Sequence, residues 1–154
     1  MQKILSSLIV PSSKSFTRHA YIEEFTPNNK ALGKGAPVSG TAVYLSTDEA
    51  WHSGAWPLWT HIVRHVDGCL GVTGGRLVES VDGKHNCYVV YVGWESIEKH
   101  DKYHHTKHFA NRGIVLALGH EGWKEYGHVQ FHGAREAKSR AERATAHTAR
   151  GSRL

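Results

Sequence analysis

The chain predicts an α+β sandwich, a four-stranded antiparallel sheet with two helices on one face in the order β-α-β-β-α-β. Three observations carry this. Residues 41–47 and 87–92 are short runs rich in β-branched and aromatic side chains, which read as strands. Between them Trp59, Ile62, Val63 and Val66 recur at i, i+3, i+4 and i+7, a helix with one apolar face. Directly after the second run, Ser96 offers an N-cap and Glu98 a first-turn carboxylate, so another helix starts at Ile97.

Residues 1–40 form an N-terminal arm. Pro11, Pro27, Pro37, Asn28-Asn29, Gly33 and Gly35 mark turns and loops. Within the arm, 5–12 reads as a short strand and 19–25 as a strand or one helical turn. The main domain covers 41–133. Its first strand, 41–47, leads into the Trp59 helix, which Trp56 extends and Pro57 tolerates in its first turn. Asp67-Gly68 ends that helix. A strand over 70–80 follows, with Gly74-Gly75 as a bulge or bend. Asp82-Gly83 is a two-residue hairpin turn into strand 87–92. The helix from Ile97 runs through Phe109, a second helical piece spans 112–118, and 125–132 is the last strand. Residues 134–154 lack an apolar stripe and read as a basic, flexible tail.

At 154 residues the chain is one domain with room for a real core. No apolar run approaches the ~18 residues of a membrane span. Ser6 and Ser7 break the opening apolar patch, so it makes a poor secretory signal, and a cytoplasmic protein is expected. Cys69 and Cys87 then read as reduced thiols. The tail carries Arg135, Lys138, Arg140, Arg143, Arg150 and Arg153 against Glu136 and Glu142, so it holds +4 of the net +5. The body is left at +1, so the high pI belongs to the tail, and neither nucleic acid nor membrane is expected as a partner.

The helix from Ile97 is the most informative stretch. On a continuous wheel Ile97, His100, Asp101, His104 and His108 share a sector about 100° wide, flanked by His105. The face that Ile97 turns toward the core is therefore rich in imidazole where Leu or Ala is usual. An imidazole can give and take a proton near neutral pH. His108 is the candidate base, with His104 or His105 orienting it or binding a substrate oxygen, and His100 beside the substrate. Tyr88, Tyr91, Trp94 and Trp123 are candidate lining of a pocket between sheet and helices. Two i, i+4 pairs, His100/His104 and His104/His108, are a secondary metal reading with Asp101 nearby and His128 or His132 as third ligand. No metal or other cofactor is built into the main expectation. His61 and His65 lie opposite the Trp59 stripe and face solvent.

The run ending in Gly93-Trp94-Glu95-Ser96 resembles the dimeric α/β-barrel superfamily, over about 41–132. That group includes antibiotic-biosynthesis monooxygenase-like proteins, stress-responsive barrel proteins and polyketide cyclases. The resemblance implies a ferredoxin-like fold and a homodimer that covers the second sheet face. Plant polyketide cyclases are closer still: their helix carries a Tyr followed by His-x-x-His, matched with one residue of altered spacing by Tyr103, His105 and His108, and a Trp before the last strand, matched by Trp123. This implies Tyr103 and His108 as catalytic residues. The expected function is a cofactor-independent enzyme of polyketide-like secondary metabolism, of cyclase, dehydratase or isomerase type, acting on a small molecule. A cofactor-free monooxygenase of the same fold and a non-catalytic ligand-binding barrel are the alternatives.

Overall fold

A computed structural model describes residues 18–23, 30–32 and 35–131. The expected strand at 5–12, the tail 134–154 and His132 lie outside them. The strands are β1 (Ala20–Ile22), β2 (Val38–Tyr44), β3 (Cys69–Leu77), β4 (Tyr88–Trp94) and β5 (Trp123–Val129). The helices are α1 (Trp56–Val63), α2 (Ile97–His104) and α3 (Lys107–Val115). All strand pairs are antiparallel, in the order β1-β3-β4-β2-β5. The four expected strands form the body of a ferredoxin-like sheet. The arm adds β1, which extends the sheet along β3.

Strand alternation sorts the side chains. Val38, Ala42, Tyr44, Val72, Tyr88, Val90, Val92 and Trp94 form the core with Trp51, Trp56, Trp59, Val63, Tyr103 and Leu116. Trp51–Ala55 is a wide turn in which the Trp56 N–H donates to the Trp51 carbonyl, five residues back. It seats Trp51 under the start of α1. Gly74 and Gly75 make no bulge. A Cβ on Gly74 would fall 2.4 Å from the Tyr88 ring, and one on Gly75 would fall 2.2 Å from the Tyr21 carbonyl. The glycines permit close approach, and the register shift in this pair lies between Cys69 and Gly71.

The other sheet face is largely covered within the one chain. Val43, Val89, Cys87 and Val81 form a second cluster. Ser39 Oγ donates to the Ala31 carbonyl at 2.5 Å, and the Lys30 backbone lies against Gly93.

The helix from Ile97 is two helices. Ser96 caps α2 as expected, its side chain accepting from the Lys99 N–H at 3.2 Å. The chain breaks at His105, and Thr106 caps α3 in the same way through the Phe109 N–H. This corrects the single wheel: His108 is not on the helix of His100 and His104. Ile97, expected to face the core, is 47% exposed. Ser96→Ala leaves the Lys99 N–H without its cap and lowers stability by about 1 kcal/mol, read from urea unfolding.

Candidate active site

α2 packs on the sheet beside β2, where Gly40 leaves room. A Cβ there would stand 2.9 Å from His100 Cε1. The buried His100 ring therefore lies close to the sheet and stacks on Trp94, with centroids 4.7 Å apart and planes at 21°. His104, one turn on, sits with its ring 4.5 Å from His100. From β5, Tyr126 and His128 point the same way at i, i+2. His100 Nδ1 is 2.6 Å from His128 Nε2, and the Tyr126 hydroxyl is 2.6 Å from His104 Nε2 and 3.4 Å from His100 Nε2. Four polar side chains from a helix and an edge strand thus form one continuous line. Glu125, in a positive-φ conformation (φ 55), lies where the β5 register shifts against β2.

This line borders a small chamber between sheet and helices, of about 30 Å³. Ala42, Val90 and Val92 are apolar parts of its lining, with Trp59, Trp94, Tyr103, His100, Tyr126 and Arg112 around it. Among the described residues, the Trp59 and Trp94 indole nitrogens and the Tyr103 hydroxyl are buried without a protein hydrogen-bond partner. An unmet buried donor costs roughly 1–3 kcal/mol. All three residues line the chamber, and an acceptor oxygen brought within reach of these donors would be stabilised by them. Arg112 extends over Phe109 and toward Tyr126, 4.6 and 5.9 Å from the ring centroids. It adds a positive charge.

The surroundings disfavour the charged form of His100 and His104. Burial pushes His100 down to about 3, and the charges of His104, His128 and Arg112 add to the shift. His104 is lowered mainly by burial and then by Arg112, with Asp101 opposing. Burial raises the Tyr103 phenol, which the facing Trp59 N–H partly offsets without reaching hydrogen-bond geometry. Burial raises Tyr126 too, with Arg112 offsetting.

These shifts make stability depend on pH. An unfolded histidine takes up a proton near 6.5. Between there and about 3 the unfolded chain binds a proton that folded His100 refuses. Stability is therefore complete above the unfolded value and declines as pH falls through that window. Urea midpoints will drop from about pH 7 to about pH 4, and His100→Asn will flatten the slope.

Of the expected site residues, His100, Tyr103 and Trp94 line the chamber, and His104 reaches it through Tyr126. Tyr103 points inward because it lies three residues on from His100, on the buried face of α2. His105 is exposed at the end of α2. His108, exposed on α3, lines a neighbouring recess of about 200 Å³ that shares Trp59 and Arg112 with the chamber. Trp123 is 54% exposed and packs on Tyr126. Two expected lining residues lie elsewhere. Tyr88 is buried at the far end of the core and donates to Glu23 at 2.8 Å. Tyr91 is on the opposite sheet face, against Phe131. His61 and His65 are exposed. Among the described residues, no group of three His, Cys, Asp or Glu side chains is arranged to hold a metal. His128 meets His100 at hydrogen-bond distance instead.

Tyr126 and Arg112 had no place in the expected site, and Trp59 and His128 had other ones. The signal for the β5 pair is Tyr126-Gly127-His128, an i, i+2 spacing that puts both rings on one face of a strand.

No protein-family model matches the chain, and no curated protein sequence does. Solved structures do. A Bordetella bronchiseptica protein named as an antibiotic biosynthesis monooxygenase is 16% identical, with a TM-score of 0.50 over 60% of this chain and 94% of that one. A point variant of SnoaB, a cofactor-independent oxygenase from Streptomyces nogalater, is similar at 15% identity and TM-score 0.47, over 67% of this chain and 98% of that one. A hypothetical Arabidopsis thaliana protein is similar at 9% identity and TM-score 0.48, over 66% and 93%. The fold is thus shared with the first of these, at an identity that speaks to fold alone.

Proposed function

We propose that the protein is a cofactor-independent acid–base enzyme acting on an enolisable carbonyl compound of the polyketide-like class. The single observation that carries this is the His104–Tyr126–His100 line ending on a chamber where three buried donors lack partners. A carbonyl oxygen in the chamber meets Trp59, Trp94 and Tyr103 donors and the Arg112 charge, all of which favour the enolate over the ketone. His104 takes the proton through the Tyr126 hydroxyl. It is the better base of the two, since a group held near 3, like His100, gives too acidic a conjugate acid for the task. Substrate entry requires Arg112 to swing aside, which joins the chamber to the recess containing His108. His108 then faces the outer part of the substrate.

Enolate formation is the first step of ring closure, water loss and isomerisation alike, so the reading is a lyase of cyclase type. The monooxygenase alternative starts from the same carbanion and is favoured by the named activity of the Bordetella relative. Deuterium uptake from D₂O into the activated methylene of a 3-ketothioester, followed by NMR, tests the shared step. Uptake above the buffer rate supports the reading, and the buffer rate alone across aromatic and medium-chain thioesters removes it. Running the assay under air and under argon separates the alternatives.

In this reading the domain over 41–133 holds the site, the arm supplies sheet cover, and the tail 134–154 takes no part. The free thiols Cys69 and Cys87 suit a cytoplasmic location, and no helix among the described residues is long and apolar enough to cross a membrane. A homodimer belongs to the same reading, with the partly exposed Thr41, Leu77 and Tyr91 left for a second copy to cover. Light scattering at twice 17.1 kDa supports it, and 17.1 kDa removes it without touching the chemistry.

A further inference from the structure

We propose that His128 is the proton relay of this site, carrying protons between the protein surface and His104 through His100 and Tyr126; the inference rests on the acid–base reading above. The polar atoms run without a gap from His104 Nε2 to Tyr126 Oη, on to His100 Nε2, then from His100 Nδ1 to His128 Nε2. His100 enters through both ring nitrogens, which is what a relay needs. A neutral imidazole carries one N–H and one bare nitrogen, so it accepts at one end and donates at the other.

The line has two states. In the first, His128 Nε2–H donates to His100 Nδ1, His100 Nε2–H donates to Tyr126, and the Tyr126 O–H donates to His104 Nε2. In the second, every hydrogen bond points the opposite way. A proton arriving at His128 Nδ1 converts the first state to the second as each N–H or O–H proton moves one bond along. His128 passes its Nε2 proton to His100 Nδ1, His100 passes its Nε2 proton to Tyr126, and Tyr126 passes its hydroxyl proton to His104. One proton enters, one arrives, and His100 has only changed tautomer. The reverse passage, from the second state to the first, empties His104 Nε2 and releases a proton from His128 Nδ1.

The surroundings suit this. His128 is exposed and lines a surface pocket of about 400 Å³ with Glu95, Glu98 and Gln130, so carboxylates stand at the outer end. The groups that bear on His100 are His104, His128 and Arg112, with Tyr126 in contact and Trp94 beneath. They keep its ring uncharged, which leaves both tautomers available. Asp101 bears on His104 and Arg112 opposes it.

The experiment has two arms. In the resting protein, ¹⁵N spectra of the histidine rings will show His100 with both nitrogens at intermediate shifts, as two exchanging tautomers give. In His128→Gln, whose amide keeps a hydrogen bond to His100 but passes no proton, one nitrogen will be protonated and the other bare. A single fixed tautomer in the native chain overturns the relay, with no substrate involved. In the second arm, His128→Gln and His128→Ala will lower deuterium uptake into the 3-ketothioester by roughly 10²-fold, and free imidazole will restore His128→Ala through the emptied position. Uptake that neither substitution lowers overturns the relay and leaves the acid–base reading standing. Exchanging tautomers in a protein that takes up no deuterium support the relay and count against the acid–base reading alone.

Discussion

His104→Gln will lower deuterium uptake by roughly 10²–10⁴-fold, the range a positioned proton-transfer group contributes. The glutamine amide still reaches the Tyr126 hydroxyl, so the loss reports the missing base. The fold will not change, because His104 is the last residue of α2 and is only partly buried. Tyr126→Phe will lower uptake comparably, since it cuts the contact at 2.6 Å between hydroxyl and imidazole. The double variant will be little worse than either single one, as expected of two groups working in one line. Additive losses would separate the two residues and contradict the shared path.

Trp51→Ala will cost about 3–5 kcal/mol, the usual range for emptying a buried aromatic site. Trp51 is fully buried, 4.3 Å from the Tyr44 ring and 6.0 Å from Trp56, with Tyr88 and His120 edge-on. No hydrogen bond is lost with it, because its indole nitrogen has no partner among the described residues. A domain of ordinary stability, about 5–15 kcal/mol, loses a large share. The urea midpoint measures this, and a change under about 1 kcal/mol would contradict the placement of Trp51 at the core.

The fold was legible because its signals are local. Ser96, Asp82-Gly83 and the apolar run Tyr88–Val92 act within a few residues. The candidate site was legible only in part. His100 and His104 were marked by an imidazole-rich helix face and Tyr103 by the family resemblance, yet the wheel ran on through the break at His105 and through Thr106, which caps the next helix. Threonine is also found inside helices, so periodicity alone passes over one that serves as a cap. Tyr88 and Tyr91 failed for another reason. Both are aromatic strand residues, but position along the strand sends one to the far end of the core and alternation sends the other to the opposite face. Arg112 and Tyr126 become site residues only through long-range pairing, since β5 joins β2 rather than its neighbour in sequence.

The central claim is that the chamber beside the His104–Tyr126 line receives a substrate oxygen. Indole N–H signals report it directly, because Trp59 and Trp94 line the chamber and Trp51 does not. On titration with a 2-acyl 1,3-dicarbonyl that is an enolate at neutral pH, the Trp59 and Trp94 signals will move together and saturate while Trp51 stays in place. A saturable response at other indoles with Trp59 and Trp94 unmoved, or no response at all, would contradict the account.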